Sequence, residues 1–278
     1  VSAPPDPFRA GPDVAAYVRN AEFEQSSEYL AAKLVDAPTW VGICGPAGVG
    51  KTLLARLLLR RLAPRFTVAH APACDLAPAE LERWIAAQVR AKEDTLPALA
   101  TRLARAGRPL LVAFDEAQRA SGELLAWLGT WCNAECGGRA VLVWTEGDGV
   151  CPLAALARCP TRVFVEPLTL AEVPAYVEAH LARVGATPEQ RAALGGRTLE
   201  RIALASRGIP REIQRLADAE LVTYAWRHRD RSPRAASAPR GGSEAAARSA
   251  APPRAANRAW LALLLALAAA SAALVFLR

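Results

Sequence analysis

Apolar and polar positions divide the 278-residue chain into three stretches of different character. Over residues 14–35 apolar positions recur at helical spacing and predict a helix. "TWVGICG" (39–45) is a short apolar run ending in a glycine loop, and "KTLLARLLLRRLA" (51–63) reads as the helix after it. "RFTVAHA" (65–71) predicts a second strand, followed by helices over 78–91 and 95–106. "RPLLVAFDEAQ" (108–118) reads as a buried strand with acids at its C-terminal end. A helix is expected over "ELLAWLGTWCN" (123–133), and strands over "RAVLVWTEG" (139–147) and "TRVFVEPL" (161–168). Strands alternating with helices predict an α/β fold: a parallel sheet with helices on both faces, a three-layer αβα core over residues 1–168.

From Thr169 the pattern turns all-helical, with helices expected at 170–183, 188–194, 198–206 and 210–227. "TLAE" (169–172) and "TPEQ" (187–190) both fit capping boxes, the second with Pro at the first helical position. Residues 169–228 thus predict a small helical lid. The segment 229–258 is rich in Pro, Ala, Ser and Arg, cannot bury a core, and reads as a disordered linker. Residues 259–278 contain the uncharged run from Trp260 to Leu277. As a helix those residues would reach about 27 Å, near the hydrocarbon thickness of a bilayer, so a single transmembrane helix is expected.

Charge sharpens that expectation. The net charge is +7, yet the residues up to Trp226 are formally neutral. The excess lies in eight Arg of residues 227–258, set against only Asp230 and Glu244, plus Arg278. Basic residues beside an apolar span mark its cytoplasmic side. The expectation is a single-pass membrane protein with its folded part in the cytoplasm, and nucleic acid as a partner is not expected. The opening "VSAPPDPFRAGPD" shows no secretory-signal pattern. The six cysteines form no CxxC pair. Cys132 and Cys136 are spaced to share a helix face, but no His completes a metal set, and buried thiols are the expected reading.

"GPAGVGKT" (45–52) fits G-x-x-x-x-G-K-[ST], with an apolar strand before it and a helix after it. In such a loop, formed by Gly45, Pro46, Ala47, Gly48, Val49 and Gly50, the glycines let backbone N–H groups converge on phosphate oxygens, and the helix start at Lys51, Thr52 and Leu53 adds its dipole. Lys51 would neutralise the β- and γ-phosphates, and Thr52 would ligate Mg²⁺. The acids of "LLVAFDEAQ" complete the set: Asp115 would hold Mg²⁺, and Glu116 would polarise the attacking water. Together these residues predict an ATP hydrolase using ATP and Mg²⁺. Thr145, ending "AVLVWT", is a candidate to touch the γ-phosphate or the lytic water. Arg211 in "GIPRE" is a candidate to reach the nucleotide from the lid. Either Arg158 or Arg162, in "LARCPTR", could act as an arginine finger on a neighbouring subunit. His70, His180 and His228 have no ligand or triad spacing and are assigned no role.

Over most of residues 6–227 these motifs resemble AAA+ ATPases, and more narrowly the ExeA/GspA-like secretion ATPases and their relative MshM. "DPFRAGPD" looks like that family's opening motif, and "GPAGVGKT" and "DEAQ" match its two nucleotide motifs. "SGELLAWLGTWCN" is similar to its following helix, ending at Asn133, and "GIPREIQRLADAELVTYAW" resembles its lid helix. The resemblance implies a P-loop AAA+ core, a homo-oligomeric ring, a GspB-type inner-membrane partner and a role in assembling a type II secretion or type IV pilus-like machine. Trp144 and Thr145 depart from it, standing where the family pattern "VLVGQPEL" has Gly and Gln. Two other readings compete: a TniB- or MuB-like transposition or DNA-associated regulator, and a switch that binds ATP and barely hydrolyses it.

Overall fold

The structure, a computed structural model, describes residues 17–18, 20–71, 77–91, 95–146, 156, 159 and 161–228. It begins with α1 (Ala21–Asp36), whose start is fixed by Asn20: the side-chain oxygen accepts the N–H groups of Glu22 and Phe23 at 2.8 and 3.3 Å. Then follow β1 (Trp40–Cys44), α2 (Lys51–Leu62), β2 (Thr67–Ala71), α3 (Pro78–Gln88), α4 (Leu96–Arg105) and β3 (Leu110–Phe114). A 3₁₀ turn (Ala117–Arg119) leads to α5 (Gly122–Trp131), β4 (Arg139–Val143) and β5 (Arg162–Phe164). The helices α6 (Glu172–Arg183), α7 (Pro188–Ala193), α8 (Arg197–Ser206) and α9 (Pro210–His228) complete the described residues.

The sheet is five-stranded and parallel, in the order β2-β3-β4-β1-β5. Its central strands are buried on both faces, as their unbroken apolar runs require. Along β3, Leu110, Val112 and Phe114 face α3, α4 and α5, while Leu111 and Ala113 face α1 and α2. Each large apolar side chain so buried stabilises the fold by roughly 1.5–3 kcal/mol. An aromatic cluster of Phe114, Trp127 and Trp131, with ring centroids 5.8 to 6.3 Å apart, fixes α5 against the end of β3. That end carries the acidic pair.

The chain leaves β1 for the far edge strand β2, returns through β3 and β4, then crosses β1 to β5. The loop after β1 therefore opens where successive connections run in opposite directions, the crevice in which open parallel sheets hold ligands.

Every predicted strand and helix over the described residues is present, most with shorter bounds, while α8 starts one residue earlier at Arg197 and α9 runs one residue further to His228. The strand expected over 139–147 ends its ladder at Val143, although Trp144 and Glu146 still donate to the carbonyls of Ile43 and Gly45. The strand expected over 161–168 pairs only to Phe164. Its end turns toward the lid, where the Leu168 N–H donates to the Gly208 carbonyl at 2.9 Å. The helix expected over 123–133 stops at Trp131. The Asn133 amide captures the Gly129 and Thr130 carbonyls, and its oxygen accepts from the Glu135 and Cys136 N–H groups. Cys132 and Cys136 therefore do not share a helix face.

"TPEQ" is a full capping box, but "TLAE" is not. Glu172 accepts both the N–H and the hydroxyl of Thr169, while the Glu172 and Val173 N–H groups donate to the Thr169 backbone carbonyl rather than to its side chain. The lid has its own core, in which Val173, Val177, Leu181, Ile202 and Ile213 interdigitate. The linker over 229–258 and the spanning helix over 259–278 lie outside the described residues. Among the described residues no helix is long and apolar enough to cross a membrane.

Candidate nucleotide site

The loop between β1 and α2 delivers an uncapped helix start. Gly50 precedes α2 with no side chain to cap it, and the first turn has no acidic residue. Its first N–H groups are free of side-chain partners and face an anion site. Gly48 has φ +85°, a conformation few side chains adopt. A Cβ there would also lie 2.9 Å from the Arg211 Cβ and 3.0 Å from the Ile209 methyl, so the loop and the lid touch backbone to side chain at this residue. The contact is completed by the Arg211 N–H donating to the Gly48 carbonyl at 3.3 Å.

Lys51 is buried, and its ammonium donates to the Pro46 carbonyl at 2.7 Å, folding back over the loop. Burial pushes its pKa down; the Glu116 and Asp115 carboxylates oppose this, and the Arg211 guanidinium adds to the lowering. Arg211 lies against the phosphate loop through its contact with Gly48.

The Thr52 hydroxyl donates to Asp115 Oδ2 at 2.7 Å, joining the start of α2 to the end of β3. Two hard oxygen donors in contact beside a buried ammonium fit Mg²⁺ and a phosphate chain. Thr52 and Asp115 would hold the ion, which when bound supplies positive charge to the phosphate oxygens. The next residue, Glu116, is in the left-handed region at φ +54°, uncommon for a side chain of this type. Its own N–H donates to Asp115 Oδ1 at 3.0 Å, and its side chain is 44 % exposed. A carboxylate that accessible beside the metal pair can take a proton from water.

Thr145 follows β4, which runs between β1 and β3. Its backbone N–H donates to Gln118 Oε1 at 3.0 Å. Arg162 lies on edge strand β5, 43 % exposed, and its guanidinium is 3.9 Å from Glu146 of the same chain. Glu146 is buried and also accepts the Trp144 indole N–H at 2.9 Å. Arg158 lies outside the described residues.

Beside Val49, Gly50 and Leu53 opens a cavity of about 470 Å³ between the core and the lid. Tyr17, Phe23, Leu168, Tyr176, His180 and Gln214 contribute to its walls. It adjoins the phosphate loop and has the size of a small-ligand pocket, so the base and ribose of a nucleotide would lie there. Of these six residues only Gln214 lies in one of the motifs, the lid-helix stretch "GIPREIQRLADAELVTYAW". His180, without a role by spacing alone, packs at a tilt against Tyr176 with ring centroids 4.6 Å apart, and the Tyr176 hydroxyl accepts from Gln214 at 2.7 Å. Only the apolar spacing of α6 and α9 hinted that one lid face would meet the core.

Residues 37–148 match the family model described as an AAA domain. No curated protein matches the sequence. Among solved structures, a point variant of RuvB from Thermotoga maritima is similar at 20 % identity, covering 73 % of this chain and 68 % of that one with a TM-score of 0.47. With its phosphate loop, acidic strand end and parallel sheet, the stretch 37–148 is similar to an AAA domain and has the architecture of a P-loop NTPase core.

Proposed function

We propose that this chain hydrolyses ATP with Mg²⁺, using Glu116 as the base, and that it does so at a membrane to support assembly of a type II secretion or type IV pilus-like machine, as GspA/ExeA-like ATPases do. The observation that carries the hydrolytic part is the Thr52–Asp115 contact at 2.7 Å with the accessible Glu116 carboxylate next in sequence. The membrane part is supported by the uncharged run from Trp260 to Leu277 and the Arg-rich segment before it. In this reading the protein is a single-pass inner-membrane protein with a cytoplasmic ATPase, a homo-oligomeric ring, and a GspB-type partner.

The test is ATP turnover of the full chain in lipid nanodiscs against its concentration in the bilayer. Turnover per subunit should rise with concentration, and Glu116→Gln should abolish it while ATP still binds. ATP binding without turnover at any concentration would replace this reading with that of a nucleotide switch. Salt-dependent DNA binding by the same preparation would favour the TniB/MuB-like alternative instead.

A further inference from the structure

The DEAQ motif ends in Gln118, which lies on the 3₁₀ turn after β3. One end of its amide donates from Nε2 to Glu116 Oε2. The other end, Oε1, accepts the backbone N–H of Thr145 at 3.0 Å. The two contacts fix the amide orientation without ambiguity. A peptide N–H can only donate, so the oxygen must face Thr145; a carboxylate can only accept, so the NH₂ must face Glu116. Reversing the amide would break both bonds.

Glu116 needs such a partner. Its backbone is in the left-handed region, its side chain is nearly half exposed, and its other neighbour, the Arg119 guanidinium, is 4.0 Å away. A glutamate with that freedom samples several rotamers, and only some aim its oxygens at a water beside the phosphate chain. The bond from Gln118 removes one of those freedoms. Its other bond anchors the amide to the end of β4, the strand beside the phosphate-loop strand β1.

We propose that Gln118 is a positioning residue that orients Glu116 for hydrolysis and makes that orientation depend on the position of Thr145. The proposal rests on the hydrolytic reading above. Both ends of the Gln118 amide are taken by Glu116 and Thr145, so its removal should act on turnover and leave binding alone.

The experiment uses the full chain in lipid nanodiscs, with a fluorescent ATP analogue for affinity and phosphate release for turnover. Gln118→Met keeps the length of the side chain and removes both bonds. It should lower kcat at least tenfold with KM and analogue affinity changed by less than about twofold. Gln118→Glu keeps an acceptor for Thr145 but sets a second carboxylate against Glu116. It should lower kcat at least as far, with the thermal midpoint near that of the wild type.

A kcat within twofold of wild type in Gln118→Met or Gln118→Glu overturns the proposal. A fall in analogue affinity matching the fall in kcat also overturns it, since a positioning role acts only on the chemical step. Failure of the hydrolytic reading is visible separately, as absent turnover in the wild type.

Discussion

The ring of Trp144 fills the space above Gly42: a Cβ on that glycine would lie 2.4 Å from Cη2 and 2.6 Å from Cζ3 of the indole. Trp144 follows β4 and Gly42 sits in the middle of β1, so a bulky side chain on one strand is matched by its absence on the next. This accounts physically for a tryptophan at a position where the resembled pattern has glycine. Gly42→Ala should destabilise the domain by about 1–3 kcal/mol, because a fully buried ring has nowhere to move. Adding Trp144→Leu should recover part of that loss, giving a coupling of at least about 0.5 kcal/mol in denaturant unfolding. Strictly additive losses would show that the two residues do not compete for the same space.

Thr52 and Asp115 form one unit, and they should respond to metal as one. In Asp115→Asn, or in Thr52→Val, the Mg²⁺ concentration giving half-maximal turnover should rise at least about tenfold. The double variant should be little worse than the poorer single one. Magnesium titrations of turnover check this, and an unchanged midpoint in both single variants would remove the pair from the metal site.

The lid meets the phosphate loop at Gly48 and Arg211. Arg211→Ala retains the backbone bond to Gly48 and loses the charge, so ATP affinity should fall about tenfold, roughly 1.4 kcal/mol. Gly48→Ala confronts both the positive φ and the Arg211 and Ile209 side chains, so it should lose affinity and also lower the thermal midpoint. Equal effects of the two variants on stability would contradict a steric contact at this residue.

Burial in the lid pushes the Tyr176 hydroxyl up to about 12, against the opposing effect of its bond from Gln214. The folded state therefore holds this proton after the unfolded chain has released it near pH 10. Stability from this residue is complete below about pH 10 and declines as pH rises toward 12. Tyr176→Phe lacks the titration, so its stability relative to wild type should improve steadily over that interval. A stability difference independent of pH between 9 and 11.5 would show the hydroxyl to be in ordinary contact with water.

What could be read in advance followed from periodicity and from backbone chemistry. The strand 110–114 is apolar at every position because both its faces are covered, and the glycine loop is legible because only such a sequence closes around phosphate. The acidic pair was legible for the same reason, as charge at the end of a buried strand requires a partner. The cavity was not. Tyr17, Tyr176 and Gln214 are far apart in sequence and ordinary in type, and only the closure of the lid through Leu168 and Gly208 brings them together. Gln118 stood in plain sight within the acidic motif, but its second contact, to Thr145, depends on which strand follows β3 in the sheet. Strand order is a tertiary property that alternation cannot reveal. Strand ends were overestimated where edge pairing stops early, as at Phe164.

The outer edge of β2 is occupied at His70. The Gln88 amide accepts its N–H at 3.0 Å and donates to its carbonyl at 2.9 Å, and the Trp84 indole donates to the same carbonyl at 3.2 Å. A glutamine can in this way imitate one residue of a neighbouring strand. With those groups already matched, an incoming strand would first have to displace side chains of α3 before it could pair there. The sheet edge is blocked at that residue, and a second strand seeking to extend it would meet side chains of α3 there first.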